Sequence, residues 1–341
     1  MKKKFRKKNL IIIAEAGVNH NGDLKIAKKL INEAAKAGAD VIKFQHYKTE
    51  SLISQNLVSK KNIFKKLKLE KNFKMLKKYE LSFEQMKKLS NYSIKKNIIF
   101  TATPFDNKSA DDLAKLNVPF YKISSGDINN FSLLKHVLKK NKPVIFSTGR
   151  SSFKEIKETV LFFKKNKFKK YSILHCVSVY PAEVETLNLK SISYLKKKFK
   201  CNIGFSDHTK GSEAAIAALT LGAQYIEKHI TLNYNDSGPD HKASMEPLEF
   251  KKMVKSLRKI EKAIGKEKKI VLGMEKFGRI KSRRSIFASR DLNKNKVLKE
   301  EDLICKRPAI GIEPKFIFKI IGKKIKKKIE EGKPLSWGNI H

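Results

Sequence analysis

Short apolar runs and long amphipathic stretches take turns along this chain. Runs rich in β-branched and aromatic residues fall at 11–14, 40–45, 98–103, 119–123, 143–147, 171–176, 202–205 and 224–229, eight in all. Between them, apolar residues recur at three- and four-residue spacing, the period of a helix with one buried face. The clearest case is Leu24–Ala37, where Leu24, Ala27, Leu30, Ile31 and Ala34 share a face. Asp23 stands where an N-cap is needed and Gly38 where the helix must stop. Gly222 has the same position ahead of the eighth run. The runs are continuously apolar and do not alternate, as expected of parallel strands covered by helices. Eight strand–helix units, closed by a helix at 248–264, predict an α/β fold of the (β/α)8 TIM-barrel type. A doubly wound open sheet is the alternative.

The connection 45–81 is long and rich in Lys, which predicts an extra helix or a loop covering a substrate. After 265 the sequence turns polar and loses its period. The expected organisation is a barrel at 1–265, a linker at 266–282 and a small β-rich domain at 283–341. Short strands are expected there at 285–288, 297–298, 303–306 and 325–329, with a turn through Leu292, Asn293, Lys294 and Asn295. About 58 residues make a marginal core, so this domain should lean on the barrel or on another subunit.

Composition changes the picture mainly through charge. The 341 residues hold 76 Lys and Arg against 33 Asp and Glu, a formal net charge of +43. Such charge would attract a phosphate backbone. Only eight of the basic residues are Arg, however, and the Lys are spread over nearly every helix. Nucleic-acid interfaces favour the planar guanidinium, and no nucleic-acid-binding motif interrupts the pattern. The reading is therefore a Lys-loaded surface that steers anionic small molecules, with no nucleic-acid partner. No run reaches the ~18 apolar residues of a membrane span, so no membrane partner is expected. The apolar stretch after the basic start is cut at Glu15, too short for an export signal. Three cysteines (Cys176, Cys201 and Cys305) without a CxxC pair argue against a disulfide scaffold and fit a cytoplasmic setting.

In a barrel of this type the chemistry sits at the carboxyl ends of the strands. Those ends deliver Glu15, Asn19 and His20; Lys43 and Gln45; Thr103; Lys122, Ser124, Ser125 and Asp127; Ser147 and Thr148; Ser178 and Tyr180; Ser206, Asp207 and His208; Glu227, Lys228 and His229. Each alone is weak, since a hydroxyl after a strand commonly caps a helix. All eight ends being polar points to a polar ligand. Two Lys with hydroxyls and Gly-linked amides suit a phosphate. His208 and His229, on neighbouring strands, can share a divalent ion such as manganese or magnesium. Glu15 can orient a sugar hydroxyl or handle a proton.

The segments IIIAEAGVNHNGDL, VIKFQ, TATPFD, YKISSGDINNF, GFSDHT, EKHITL and GPDHKASMEP follow one another as in the sialic acid synthase family, and the tail resembles that family's antifreeze-like (SAF) module. The resemblance covers essentially the whole chain. It implies condensation of phosphoenolpyruvate with an N-acylated amino sugar, N-acetylmannosamine first, with phosphate released by C–O cleavage. Legionaminic or pseudaminic acid synthesis from a diacetamido sugar is the alternative. The resemblance further implies that His208 and His229 hold the metal, manganese first and magnesium or cobalt otherwise. It implies that Lys43, Thr103, Lys122, Ser125, Ser147 and Ser206 hold phosphoenolpyruvate, and that Glu15, Gln45, Tyr180 and Asp240 surround the acceptor. Arg307 matches an arginine that reaches a partner's site in a dimer with swapped tails. Two positions depart from the family pattern: Asp127, where Glu is common, and Arg150, where Met is usual.

Overall fold

The computed structural model describes residues 9–54 and 69–341. Its contacts divide the chain into two compact units, 1–265 and 266–341.

In the first unit the strands are β1 (Ile11–Gly17), β2 (Val41–His46), β3 (Ile99–Pro104), β4 (Tyr121–Ile123), β5 (Val144–Ser147), β6 (Tyr171–Cys176), β7 (Asn202–Asp207) and β8 (Tyr225–His229). They form one parallel eight-stranded sheet in the order β3-β2-β1-β8-β7-β6-β5-β4. The pairing of β1 with β8, at Ile13↔Glu227 and Glu15↔His229, curls this sheet into a nearly closed barrel. At the remaining seam the Thr101 hydroxyl donates to the Phe120 carbonyl at 2.9 Å, joining β3 to the segment that leads into β4.

The expected helix at Leu24–Ala37 (α1) forms with those bounds; the Asp23 carboxylate accepts from the Lys25 amide and Gly38 takes the left-handed conformation at φ 86°. The long connection 45–81 holds helices Thr49–Leu52 (α2) and Leu69–Tyr79 (α3), so the expected extra helix is present; its residues 55–68 lie outside the described residues. Later in the unit, helices Phe153–Lys165 (α4) and Lys190–Phe199 (α5) cover β5 to β7, and Pro247–Ile264 (α6) closes the series.

Strand periodicity sorts the side chains into layers. Residues such as Ile12, Ala14, Ile42, Phe44, Phe146 and Ile226 join the core between strands and helices. Ile11, Ile13, Val41, Phe120, Ile145 and Leu174 form a separate buried plug. Continuing two residues along these strands reaches Glu15, Lys43, Lys122, Ser147 and Cys176 (Phe120 leads to Lys122). The barrel is thus apolar toward its amino end and polar toward its carboxyl end.

The second unit has its own core, which includes Ile286, Leu292, Leu298, Ile312, Ile325, Leu335 and Ile340. Strands β9 (Ser285–Ala288) and β10 (Leu303–Lys306) pair antiparallel. The strands expected at 297–298 and 325–329 are instead isolated bridges, Val297↔Lys324, Leu292↔Ile329 and Ile325↔Ile340. Each segment meets its partner at one residue, too briefly for a ladder. The stretch 266–282, read as a linker, contains a helix at Gly273–Ser282 (α7) that buries none of its side chains. Met274, Phe277 and Ile280 recur there at three-residue spacing, but Gly273 and Gly278, poor helix formers, obscured the helix in the sequence. Among the described residues, no helix is long and apolar enough to cross a membrane.

Candidate active site

The polar ends of all eight strands line one cavity. Its walls include Glu15, Lys43, Gln45, Thr103, Lys122, Ser125, Ser147, Tyr180, Ser206, His208, His229 and Asp240, together with Ser124, Arg150, Cys176, Ser178 and Glu227. The structure therefore gathers twelve of the thirteen residues to which the family resemblance gives a role, while Asn19, His20, Thr148, Asp207 and Lys228, also named at strand ends, do not line it. The thirteenth, Arg307, is an exposed residue of the second unit.

Glu227 is the organising group that sequence reasoning left without a role. It lies two residues before His229 on β8, so both side chains point inward. Its carboxylate accepts from the Ser206 hydroxyl at 2.8 Å and stands 3.4 Å from the Lys122 ammonium and 3.6 Å from that of Lys43. Lys43 also meets Glu15 at 2.7 Å and donates to the Thr103 hydroxyl at 3.2 Å. All four charged side chains are at most 4% exposed.

Removal from water sets their protonation. Burial opposes the charge on Glu227, yet Lys122 and Lys43 hold its carboxyl down at about 2. Burial lifts Glu15 to about 7 against the pull of Lys43, so this carboxyl sits where it can hold or release a proton. Burial lowers Lys122, while in Lys43 the neighbouring carboxylates outweigh burial and raise it. The cluster is charged but incompletely satisfied: Glu227 Oε2 and Ser147 Oγ are buried without a hydrogen-bond partner. Such orphans are costly unless a ligand answers them.

The imidazoles of His208 and His229 lie with ring centroids 5.3 Å apart, and the Tyr180 ring sits 4.1 Å from that of His208. His208 Nδ1 donates to the Val177 carbonyl at 2.8 Å, which turns Nε2 toward the cavity side of the ring. Burial, then the charges of His208 and Lys43, keeps His229 neutral. His229 Nδ1 has no hydrogen-bond partner and lies 3.6 Å from an Asp240 carboxylate oxygen. Burial lifts Asp240 to about 6. Two imidazoles, one oriented from behind and one with an orphaned nitrogen, fit a borderline divalent ion. Among the described residues no third His, Cys, Asp or Glu joins them as a ligand group. Cys176 is 3.8 Å from His208 Nδ1; burial works against its ionisation, but His208 and Ser178 bring the thiol down to about 7.

Asp127 stands outside this cavity. It accepts from the Ser124 hydroxyl at 2.6 Å and so braces the turn after β4. Gly149 is required on steric grounds, since a Cβ there would come within 2.0 Å of the Ser178 hydroxyl and 3.0 Å of Cys176 Sγ. Its amide donates to the Ser125 hydroxyl at 2.9 Å.

Fold and cavity define a (β/α)8-barrel enzyme with its site at the carboxyl ends of the strands. The chain belongs to the NeuB family, which matches residues 30–269, and a SAF domain matches residues 283–341. It is 43% identical over 330 residues to the N,N'-diacetyllegionaminic acid synthase of Campylobacter jejuni, covering 95% of this chain and 98% of that one. Identity to the N-acetylneuraminate-9-phosphate synthase of Homo sapiens is 35% over 323 residues, covering 94% and 89%. Among solved structures, the N-acetylneuraminic acid (sialic acid) synthetase of Leptospira borgpetersenii serovar Hardjo-bovis superposes with a TM-score of 0.72 at 38% identity, over 79% of this chain and 90% of that one.

Proposed function

We propose that this enzyme condenses phosphoenolpyruvate with a diacetamido sugar to form a nonulosonic acid of the legionaminic type. The carrying observation is the open cluster of Lys43, Lys122 and Ser147, two cations and a buried hydroxyl without a hydrogen-bond partner facing one cavity. It is suited to an anionic ligand whose oxygens accept from the two ammonium groups and from that hydroxyl. The sequence pattern alone ranks N-acetylmannosamine first. Identity of 43% to a diacetyllegionaminic acid synthase, against 35% to an N-acetylneuraminate-9-phosphate synthase, favours the diacetamido acceptor. The monoacetylated acceptor is the second reading because of the 38% likeness to a sialic acid synthetase.

In this reading Lys43 and Lys122, with the hydroxyls of Thr103, Ser125, Ser147 and Ser206, hold the phosphate and carboxylate of phosphoenolpyruvate. Gln45, Tyr180 and Asp240 orient the open-chain acceptor. The enol carbon attacks the aldehyde carbon, and the carbonyl oxygen takes a proton that Glu15 is placed to deliver. Water adds to the cationic carbon left behind, and the adduct collapses with C–O cleavage to release phosphate. The two lysines stabilise the charge that moves onto the leaving group. His208 and His229 would hold a divalent ion, manganese first, which supplies Lewis-acid polarisation of the acceptor carbonyl.

The test is phosphate release from phosphoenolpyruvate across N-acetylmannosamine, its 6-phosphate and diacetamido hexoses. Turnover with the diacetamido sugar at the highest kcat/KM supports the reading, and preference for a monoacetylated sugar replaces it with the second. Chelation should silence the enzyme until the ion returns. Arg307 is assigned to the site of a partner chain in a swapped dimer, a reading favoured by its exposure and by the unburied side chains of α7. Mixing Arg307→Ala with Glu15→Ala chains then restores part of the activity; no recovery despite proven subunit exchange confines the arginine to its own chain.

A further inference from the structure

Among the described residues, Arg150 is the cation of the cavity that no carboxylate claims. Lys43 and Lys122 are both committed, the first to Glu15 and Glu227 and the second to Glu227. Among the described residues, no carboxylate forms an ion pair with Arg150. Its guanidinium makes one hydrogen bond, donating to the Ser178 carbonyl at 3.3 Å. That leaves most of its five N–H donors free at the rim. The backbone there is unusual too, since Arg150 takes the left-handed conformation at φ 59°, which non-glycine residues seldom adopt. It directly follows Gly149, whose missing side chain lets this turn press against Ser178 and Cys176. The Gly149 amide donates to the Ser125 hydroxyl at 2.9 Å, and the exposed Arg150 beside it lines the cavity.

Charge arithmetic gives that position a purpose. Inside the cavity the two lysines and their two glutamate partners nearly cancel in formal charge. A ligand with one phosphate monoester and one carboxylate brings close to three negative charges. Even with a divalent ion at His208 and His229 the cluster would leave part of that charge unbalanced, and a guanidinium offers bidentate donors matched to phosphate oxygens.

We infer that Arg150 is a phosphate-binding residue of this site, adding positive charge to that of the buried lysines where a phosphorylated substrate enters. The inference rests on the function proposed above. Two sources of phosphate fit the chemistry, phosphoenolpyruvate itself and a phosphorylated acceptor sugar.

The experiment compares wild type with Arg150→Met and Arg150→Lys in the full chain, each checked for folding by thermal melting. Titration calorimetry with phosphoenolpyruvate alone is combined with steady-state kinetics on free and 6-phosphorylated acceptors. If phosphoenolpyruvate is the partner, Arg150→Met weakens its binding and raises its KM about 10- to 100-fold, with kcat and acceptor KM little changed. Arg150→Lys recovers part of the loss. If the acceptor phosphate is the partner, only the KM of the phosphorylated sugar rises. Unchanged binding and unchanged KM values for both in a folded Arg150→Met variant overturn the inference and leave the condensation reading intact. A wild-type protein that neither binds nor consumes phosphoenolpyruvate overturns the reading itself, and the inference falls with it.

Discussion

Two buried lysine clusters meet β8 at adjacent residues and behave as opposites. On the outer face, the Lys228 ammonium meets Asp207 Oδ2 at 2.8 Å, the Thr209 carbonyl at 2.6 Å and the Thr209 hydroxyl at 3.3 Å. Three donors find three acceptors, and the other Asp207 oxygen accepts from the Thr209 amide and hydroxyl. On the inner face, Lys43 and Lys122 share Glu227 at 3.6 and 3.4 Å and leave buried oxygens unanswered. The first cluster is closed and needs nothing from outside. The second is open, held together loosely enough to exchange protein partners for a ligand. Burial of charge alone does not mark a functional site; incomplete satisfaction does.

The contrast predicts that activity and stability separate. Replacing Lys43 and Lys122 by Met together with Glu15 and Glu227 by Gln, so that no buried charge is left without its partner, should lower the rate of phosphate release by about 10⁴-fold or more, taking each lysine donor at 10²–10³. The melting temperature should hold or rise, because the isosteres leave a less charged interior. A variant that unfolds while its folded fraction stays active would erase the distinction.

Lys228→Met should do the reverse. It strands Asp207 in a fully buried place, which costs about 3–5 kcal/mol of stability. Denaturant midpoints measure that loss, and kcat of the remaining folded enzyme should match wild type. A large fall in kcat with an unchanged midpoint would move Lys228 into the open class.

The smallest effect concerns His20, 1% exposed in the loop after β1, whose Nδ1 accepts from the Gly22 amide. Burial depresses this imidazole to about 4 against an ordinary 6.5, so the folded protein keeps it neutral. Its contribution is complete above pH 6.5 and declines as pH falls through 4, because only the unfolded chain binds the proton readily. The difference is on the order of 3 kcal/mol. His20→Gln should flatten the stability curve between pH 6.5 and 4, read by urea unfolding at several pH values. Equal slopes in both proteins would remove His20 from the account.

How far the sequence reached follows from range. Leu24–Ala37 was readable to the residue because cap, period and stop are local. Strand ends were readable because polar residues interrupt apolar runs, which is why the cavity lining could be anticipated. Glu227 was visible in the run Glu227-Lys228-His229 but carried no role, since its partners arrive from β2, β4 and β7. Nor does sequence distinguish Lys228 from Lys43: each is a lysine near the end of an apolar strand, and only the opposite face decides. In the second unit, single-residue bridges such as Val297↔Lys324 left too little pattern to separate from true strands.

The seam beside β3 gives the barrel a direction. Seven neighbouring pairs are laced by peptide groups, whereas across this join the hydroxyl of Thr101 reaches the Phe120 carbonyl. A ring so made is a hoop with a clasp, and thermal breathing concentrates where the fewest backbone hydrogen bonds must part. Thr103 stands on one lip of that clasp and Lys122 on the other. Amide protons flanking it should therefore exchange sooner than those of β1 and β8, and a ligand spanning both lips would act as the missing stitch.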